Sequence, residues 1–513
     1  MIALVQSALG AVGSDVDKFV KPVLDWHAFA PEIILTSVVC LLILADVVLL
    51  DRAKAFVSSI AGLGLLASLI PLLTLATSDH TTRSMFGGAY VVDRNALLLK
   101  ALFIVSGYVV VLLSNNYVAE GDYWESEYYT LMVASILGMT IMASARDLIS
   151  IFLALELLSI PAYMLAGWRK RDVQSNEAGL KYYLMGVFAS AVLLYGMSLL
   201  YGLSGSTKLS DIGASLAGSH RTPAATLAIV FVLIGFGFKV SAVPFHSWAP
   251  DTYEGAPTPV TAFLAVASKS AGFVALIQVI SFGFSSQWTI LTPAIFILSA
   301  LSMTVGNLIA LRQTNVVRML AYSGIAQAGF MLAPFAVIAR PAVAGQTISA
   351  VVVYLIIYAA MNLGAFAVVM AVARTTRSAE IISFAGLFHD APGLTVVMTI
   401  FLSSLVGIPP LGGWYAKFGI TKVLIGSHSR WGYALAILLA VNTAIAAFYY
   451  LNVAKTMWFD DVPETESGVA RKIPIPISLR SALAITVIAT ILFGVLPGIL
   501  SDAAQHVSVV AHP

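Results

Sequence analysis

Residues 147–165 read DLISIFLALELLSIPAYML, an apolar run with a single glutamate, Glu156, near its centre. A helix that spans a bilayer needs about 20 apolar residues, and an ionised side chain at the bilayer centre costs about 2.5–3.5 kcal/mol. Glu156 lies about nine residues beyond Asp147, or roughly 14 Å along a helix. Since the hydrocarbon core is about 30 Å thick, this carboxyl group is predicted at the middle of the membrane.

The composition extends this pattern to the whole chain. Of its 513 residues 59% are hydrophobic and only 11% are charged, whereas soluble domains carry about 25% charged residues. The predicted fold class is therefore all-α, a polytopic membrane protein whose solvent is the lipid bilayer. Hydropathy predicts about fourteen spans, centred on 30–50, 55–77, 95–114, 128–144, 147–167, 178–202, 224–249, 258–283, 290–311, 316–338, 347–373, 392–426, 432–458 and 480–500.

These spans group into four parts of the chain. An N-terminal tail with three helices (1–127) precedes two five-helix parts (128–283 and 290–458), and a polar loop with the last helix follows (459–513). Both five-helix parts contain a helix broken beside an ionisable residue, which predicts two inverted repeats. In the first part, only residues 144–146 separate two spans, which predicts a tight helical hairpin.

The charges predict orientation and exclude several classes of function. Alternate loops carry about thirteen and about nine Lys and Arg residues, so the positive-inside rule places both termini outside the cytoplasm. Residues 1–13 lack the positive start of a signal peptide, which favours an interfacial segment. A net charge of +2 gives no argument for nucleic acid. Cys40 is the only cysteine, and without a Cys/His cluster or a Walker A motif we expect no metal, cofactor or ATP site in this chain.

Three lysines join Glu156 deep in predicted spans. Lys239 lies in LIGFGFKVSAVPFHSW, Lys269 in PVTAFLAVASKSAGF, and Lys417 in GIPPLGGWYAKFG. A lysine side chain extends by only about 6 Å, which is too short to reach the interface from the midline.

Other lysines lie closer to the ends of their spans. Lys100 and Lys422 are expected to snorkel to the interface, and Lys181, which begins a span, is expected in the headgroup layer.

A deeply buried lysine suits proton transport, because desolvation favours its neutral form while a nearby glutamate favours the charged form. Pro244 breaks the helix after Lys239, and the glycines and prolines of 407–413 break the helix before Lys417. Such breaks must be buried in protein or face internal water. A structural Glu–Lys pair that only locks helices together is the alternative, although it leaves two lysines without acidic partners. His246, seven residues after Lys239, is either a proton relay or a structural histidine.

Several segments resemble the antiporter-like subunits of complex I, the proton-pumping NADH:quinone oxidoreductases. They are LALELLSIPAYML around Glu156, PFHSWAPDTYEGAPTPVTAFL after Lys239, ASKSAGF around Lys269, and RMLAYSGIAQAGFML from Arg318. The resemblance runs in order through almost all of the chain. The superfamily also contains cation/proton antiporter subunits.

Three features resemble the subunit N branch of that superfamily. The segment NEAGLKYYLMGVFASAVLLYG from Asn176 is similar to that subunit's form. Lys417 stands where subunit M carries a glutamate, and the chain ends without the long lateral helix of subunit L.

The resemblance implies fourteen helices, two inverted repeats, and a hydrophilic axis through Glu156, Lys239, Lys269 and Lys417. It implies a non-redox subunit of an inner (cytoplasmic) membrane translocase, driven by quinone reduction in partner subunits. Glu156 would modulate Lys239, Lys269 would relay, and Lys417 would exchange protons with the far side. NADH, FMN, iron–sulfur clusters and quinone would belong to partner subunits, and the neighbours would be subunits M and K/J. A cation/proton antiporter subunit and a purely structural scaffold remain as alternatives.

Overall fold

The computed structural model describes residues 24–48, 56–78, 81–120, 125–218, 222–340, 342–461 and 473–505. Most of these residues are helical, and one two-stranded hairpin lies between two of the helices. The interfacial segment predicted for 1–13 lies outside the described residues.

Every predicted span contains a helix in the described part of the chain. The helices are α1 (Ala30–Val48), α2 (Val57–Ser78), α3 (Arg94–Glu120), α4 (Glu125–Ser144), α5 (Leu148–Ala166), α6 (Val173–Ser204), α7 (Leu209–Gly218), α8 (Pro223–Lys239), α9 (Trp248–Gly255), α10 (Thr258–Gly283), α11 (Trp288–Ala310), α12 (Val316–Leu332), α13 (Ala344–Thr376), α14 (Leu387–Asp390), α15 (Pro392–Val406), α16 (Gly412–Gly426), α17 (Arg430–Phe459), α18 (Ile477–Val495) and α19 (Gly498–Gln505). Strands β1 (Arg83–Met85) and β2 (Tyr90–Val92) pair antiparallel between α2 and α3.

Eleven helices in the described residues are long and apolar enough to cross a membrane. This confirms the predicted all-α, multi-pass membrane fold. The count of fourteen spans stays a prediction, because α4 and the four pieces of the two broken helices are not among the eleven.

Three helices form the centre of the molecule. The apolar windows of α10, α12 and α13 are almost wholly buried inside the protein, whereas only 33% of the residues in the windows of α6, α11 and α17 are buried. The exposed side chains of the outer helices are large and apolar, as Leu184 and Phe188 of α6 illustrate. Because exposing this much apolar surface to water is unfavourable, these faces suit contact with lipid or with apolar helices of other chains.

Helices α4 and α5 form the tight hairpin that the sequence predicts. The Asp147 side chain begins α5 by accepting hydrogen bonds from Ile149 N at 2.8 Å and Ser150 N at 3.1 Å. The two helices touch closely at Gly138, where an added Cβ would lie only 2.6 Å from Leu158 N.

The first broken helix interrupts its backbone just after Lys239. Helix α8 ends at Lys239, a turn containing a cis Val243–Pro244 bond follows, and α9 begins at Trp248. Trp248 Nε1 donates to Phe238 O at 3.0 Å. This carbonyl at the helix end accepts from Ser241 N as well, at 3.0 Å, so a side chain and the turn backbone together satisfy it.

The second break has the same kind of internal capping. Helix α15 ends before Gly407, which adopts a left-handed φ of 96°, and a cis Pro409–Pro410 bond follows. Gly413 N at the start of α16 donates to Ser404 Oγ at 3.0 Å. An added Cβ at Gly413 would lie 1.8 Å from Ser404 O, so only glycine fits this crossing.

The order of elements in 290–458 parallels the order in 128–283. Each part has two helices in a hairpin, one helix of more than 30 residues, a short helix, a broken helix and a final helix. That the two parts are inverted repeats, and the four-part division of the chain, stay predictions.

We expect Gly138→Ala to destabilise the protein, because the new methyl group must force α4 away from α5. Overpacking of this kind costs about 1–3 kcal/mol, which outweighs the roughly 1 kcal/mol by which alanine favours a helix. The melting temperature of the purified protein should therefore fall. Gly202→Ala in α6 is the matched control, since nothing lies within 4 Å of its added Cβ; an equal response of both variants would contradict the expectation.

Candidate functional site

The Lys239 side chain is buried at the end of α8, with 4% of its surface exposed. Its Nζ donates a hydrogen bond to Ser159 Oγ at 2.7 Å. Ser159 lies three residues beyond Glu156, on the same face of α5, and its hydroxyl also donates to Leu155 O at 2.5 Å. The nearest polar partner of this amine is therefore a neutral hydroxyl group.

Glu156 lies close enough to act on the Lys239 amine through its charge. No ion pair joins the two side chains among the described residues, and buried Glu156 Oε1 has no hydrogen-bond partner there. A direct Glu–Lys lock is therefore not the arrangement in this structure. The sequence analysis missed Ser159, although its spacing from Glu156 is the signal that could have found it.

Lys269 lies at the middle of α10, directly after a π-helical turn at Leu264–Ser268. Its Nζ donates to Gly324 O of α12 at 2.8 Å. An added Cβ at Gly324 would lie 2.9 Å from this Nζ and 3.1 Å from Tyr358 Oη, so glycine allows both groups to approach α12.

Helix α10 also brings Lys239 and Lys269 into one region. Gly272, one turn beyond Lys269, packs against the aliphatic part of Lys239, whose Cγ would lie 3.1 Å from an added Cβ. Lys239 and Lys269 belong to different helices, and both lie next to the contact between α8 and α10 at Gly272.

Lys417 binds the end of the helix before its break. Its Nζ donates to Leu405 O at 3.1 Å and to Val406 O at 2.8 Å, and it lies 4.8 Å from the centre of the Phe330 ring. Carbonyls at a helix C-terminus carry partial negative charge and favour a cation, as does the face of an aromatic ring.

Polar side chains of α12 and α13 lie between Lys269 and Lys417. Tyr354 Oη donates to Gln327 Oε1, and Gln327 Nε2 donates at 3.2 Å to Leu405 O, the carbonyl that also binds Lys417. Asn362 Nδ2 donates to Tyr358 Oη at 3.1 Å, beside the Lys269 contact. The sequence analysis missed these residues, although Tyr354, Tyr358 and Asn362 recur every four residues and so share one helix face.

A second group of hydrogen-bonded polar side chains joins α12 and α11 to α17. The hydroxyls of Ser323 and Tyr450 form a hydrogen bond. Tyr449 Oη donates to Asn307 Oδ1 at 2.9 Å, and Asn307 Nδ2 donates to Asn442 Oδ1 at 3.2 Å. Such interhelical bonds hold helices together where burial of apolar surface gives little driving force.

His246 lies in the turn between α8 and α9 and is partly exposed. Its Nδ1 is buried and has no hydrogen-bond partner in the part of the chain that the structure describes. His246 does not share a helix face with Lys239, because α8 ends at Lys239 and the predicted break follows it. A relay role for His246 stays a prediction.

Among the lysines predicted near span ends, Lys100 does not behave as predicted. It is fully buried and forms an ion pair with Glu32, with 3.0 Å between Nζ and Oε1, so the prediction of snorkelling is wrong. Lys422 is exposed, and its snorkelling to the interface stays a prediction. Lys181 is 43% exposed and pairs with Glu177 at 2.6 Å, and its place in the headgroup layer stays a prediction as well.

A charged network fixes α9 to its neighbours at the membrane surface. Asp251 binds Lys181 of α6 and Arg318 of α12, each at 3.0 Å, and Arg318 also binds Glu254 at 2.7 Å. Partial burial opposes ionisation of Asp251, but the hydrogen bonds and charges of Lys181 and Arg318 outweigh it. They hold the pKa of Asp251 below its ordinary value of 3.8.

No cluster of three or more His, Cys, Asp or Glu side chains that could hold a metal ion occurs within the described ranges. Buried amines, hydroxyls and backbone carbonyls instead contact one another around Lys239, Lys269 and Lys417. Amines and hydroxyls can bind and release protons, whereas the carbonyls only accept hydrogen bonds.

Comparison with known proteins gives consistent matches over most of the chain. A family model described as "NADH:quinone oxidoreductase/Mrp antiporter, TM" matches residues 145–445. NADH-quinone oxidoreductase subunit N of Heliobacterium modesticaldum is 41% identical over 82% of this chain and 86% of its own length. The protein of the same name from Trichlorobacter lovleyi is 35% identical over 94% of this chain and 96% of its own.

Solved structures show the same fold. A chain of respiratory complex I from Thermus thermophilus, solved with bound aureothin, is 30% identical with a TM-score of 0.76, and the match covers 94% of this chain and 100% of that one. A chain of the Mrp complex from Dietzia has a TM-score of 0.81 over 94% of this chain and 97% of that one. Its identity is only 17%, so this likeness concerns the fold alone.

We expect Asp251→Asn to lower the melting temperature at neutral pH, because it removes the charge that holds α9 to α6 and α12. A carboxylate with a lowered pKa stabilises the folded state above its ordinary pKa and loses that effect as pH falls through the lowered value. The difference from the parent protein should therefore shrink below about pH 4. Asp502→Asn, on an exposed residue of α19, is the control; a difference that persists unchanged at low pH would reject the charge explanation.

Proposed function

Because the chain belongs to the family of antiporter-like membrane subunits of NADH:quinone oxidoreductase, with the proteins named subunit N, we propose that it translocates protons as a subunit of such a complex in the inner membrane. The observation that carries the proposal is the environment of three buried lysines. Lys239, Lys269 and Lys417 each bind a neutral oxygen, and no ion pair of theirs occurs in the described residues.

A neutral partner leaves the protonation state of an amine free to change. An ammonium group buried without a carboxylate has lost its hydration and gained little charge compensation, so its charged and neutral forms become close in free energy. A small change in a nearby charge then decides whether the proton stays. Glu156 supplies such a charge beside Lys239, and its Oε1 has no hydrogen-bond partner among the described residues that would fix its position.

The contacts support an order for the proton transfers. Gly272, one turn beyond Lys269, packs against the aliphatic part of Lys239, and Tyr358 lies beside the Lys269 contact. Phenol hydroxyls both donate and accept protons, whereas the Gln327 amide only orients its neighbours. We assign proton transfer to the lysines and tyrosines, and to Gln327 the positioning of Tyr354 next to the carbonyl that binds Lys417.

The driving force would come from partner subunits. Redox chemistry of NADH, FMN, iron–sulfur clusters and quinone is proposed there, with this chain responding to it through charge at Glu156. The apolar outer faces fit contacts with lipid and with other membrane subunits, for which we propose subunits M and K/J.

A cation/proton antiporter subunit is the second candidate, since the Mrp complex shares the fold. The higher identity to proteins named subunit N favours the redox-driven pump. Loss of NADH-driven proton transport on deletion of the gene supports the pump, while sodium sensitivity without that loss supports the antiporter.

We expect Lys239→Ala and Glu156→Ala to weaken NADH-driven proton transport in membrane vesicles while the complex still assembles. Each variant removes a titrating group of the proposed path. Lys417→Ala should act likewise, and Lys422→Ala, which changes an exposed lysine of the same helix, is its matched control. Fully assembled Lys239→Ala complex with undiminished transport would reject the proposed function.

Ser159→Ala tests the neutral partner of Lys239 directly. Loss of one hydrogen bond of about 1 kcal/mol should change the proton affinity of the amine roughly fivefold, and so displace the pH profile of proton transport. Ser159→Thr keeps the hydroxyl and should restore the parent profile, while Ser198→Ala, on an exposed serine of α6, should have no effect. A lower rate with an unmoved pH profile would reduce Ser159 to a packing role.

A further inference from the structure

A second cluster of ionisable groups lies outside the Lys239–Lys417 line. Lys100 of α3 is fully buried and Glu32 of α1 is 2% exposed, with 3.0 Å between Nζ and Oε1. Lys100 Nζ also donates to Tyr90 Oη at 2.9 Å and lies 5.0 Å from the centre of the Tyr90 ring. Three helical or strand elements from the N-terminal part thus each contribute one titratable group.

The position of the cluster along the helices places it between the midline and one surface. Lys100 lies six residues into α3, or about 9 Å along the helix, and Glu32 lies in the first turn of α1. Both helices begin on the side where the β-hairpin lies and α4 ends. This is the side opposite the Arg- and Lys-rich connections.

Helix α10, which carries Lys269, ends beside this cluster. Gln278 Nε2 of α10 donates to Ala143 O at 3.2 Å, and the next residue, Ser144, faces the Tyr90 hydroxyl. Gln278 Oε1 is buried and lacks a hydrogen-bond partner among the described residues. This polar atom lies on the route from α10 to Tyr90 and can accept a hydrogen bond from a mobile proton carrier such as water.

Other charges face the cluster from the hairpin side. The Asp93 carboxylate acts on Lys100 through its charge and is itself bound to Arg146 at 2.8 Å. Arg146 lies over the Phe282 ring at the end of α10, 4.7 Å from its centre. The α10 end, the α4–α5 turn and the Glu32–Lys100 pair are therefore electrostatically connected.

We propose that Glu32, Lys100 and Tyr90 form a second proton-exchange site, which passes protons between the end of α10 and the hairpin surface. The elementary step moves one proton from the Lys100 ammonium to the Glu32 carboxylate, which converts a charged pair into a neutral amine and a neutral acid. Tyr90 can pass a proton to the pair, since its hydroxyl both donates and accepts. The inference rests on the proposed function.

A structural ion pair that only fastens α1 to α3 is the competing explanation. Breaking one partner of a buried pair is costly under both explanations, whereas replacing both partners by neutral groups often preserves stability. The double variant Glu32→Gln/Lys100→Met therefore separates them.

The experiment measures proton yield per NADH oxidised in inverted membrane vesicles, together with NADH:quinone reductase rate and the amount of assembled complex. We expect the double variant to assemble as the parent does and to show a loss of proton yield, and Tyr90→Phe to show a smaller loss. The double variant Asp25→Asn/Arg83→Met should keep the parent yield. It neutralises a partly exposed ion pair of 2.6 Å near the same hairpin.

Full proton yield in the assembled Glu32→Gln/Lys100→Met variant would overturn the proposal and leave a structural pair. So would a loss that merely follows the amount of assembled complex. Lys239→Ala in the same assay separates failure of the second site from failure of the proposed function. If Lys239→Ala lowers the yield and the double variant does not, only the second site fails; if neither does, the proposed function fails.

Discussion

The absence of water in the hydrocarbon core governs this structure, because every buried polar group must find its partner within the protein. The two broken helices show how this is done. Trp248 caps a carbonyl at the first break, while Ser404 and Lys417 bind the backbone at the second. These side chains bind backbone groups at each break, next to Lys239 and Lys417. A helix break inside a membrane is stable only where polar groups of the protein bind the free backbone, so polar side chains gather at the breaks.

The same constraint produces two kinds of buried lysine. Lys100 has a carboxylate partner and a phenol, so its charge is compensated locally. Within the described residues, the hydrogen bonds of Lys239, Lys269 and Lys417 all go to hydroxyl or carbonyl oxygens, which bind an ammonium group less strongly than a carboxylate does. The proposed transport depends on these three amines responding to a change in a nearby charge, a role that we assign to Glu156 beside Lys239.

Close helix packing places these groups within reach of one another. Gly324 lets Lys269 and Tyr358 approach α12, and Gly272 brings α10 against Lys239. The central helices α10, α12 and α13 consequently carry both the deepest burial and most of the polar line. The outer helices surround them with apolar side chains. This arrangement, shared in fold with chains of respiratory complex I and of the Mrp complex, isolates the polar line from lipid.

Residue order along the chain was enough to identify the membrane fold and the two helix breaks, because apolar length and helix-breaking residues are local properties. It was also enough to indicate the family, through motifs spread over almost the whole chain. The hydrogen-bond and ion-pair partners of the buried lysines could not be identified in this way. Lys100 lies close to a span end, which predicted snorkelling, yet Glu32 of α1 pairs with it. Lys239 binds the hydroxyl of Ser159, a partner that the sequence did not indicate. Tyr354, Tyr358 and Gln327 acquired their place between two lysines only when α12 and α13 packed. Hydrogen bonds act over about 3 Å, so which groups meet is decided by how helices distant in sequence pack together.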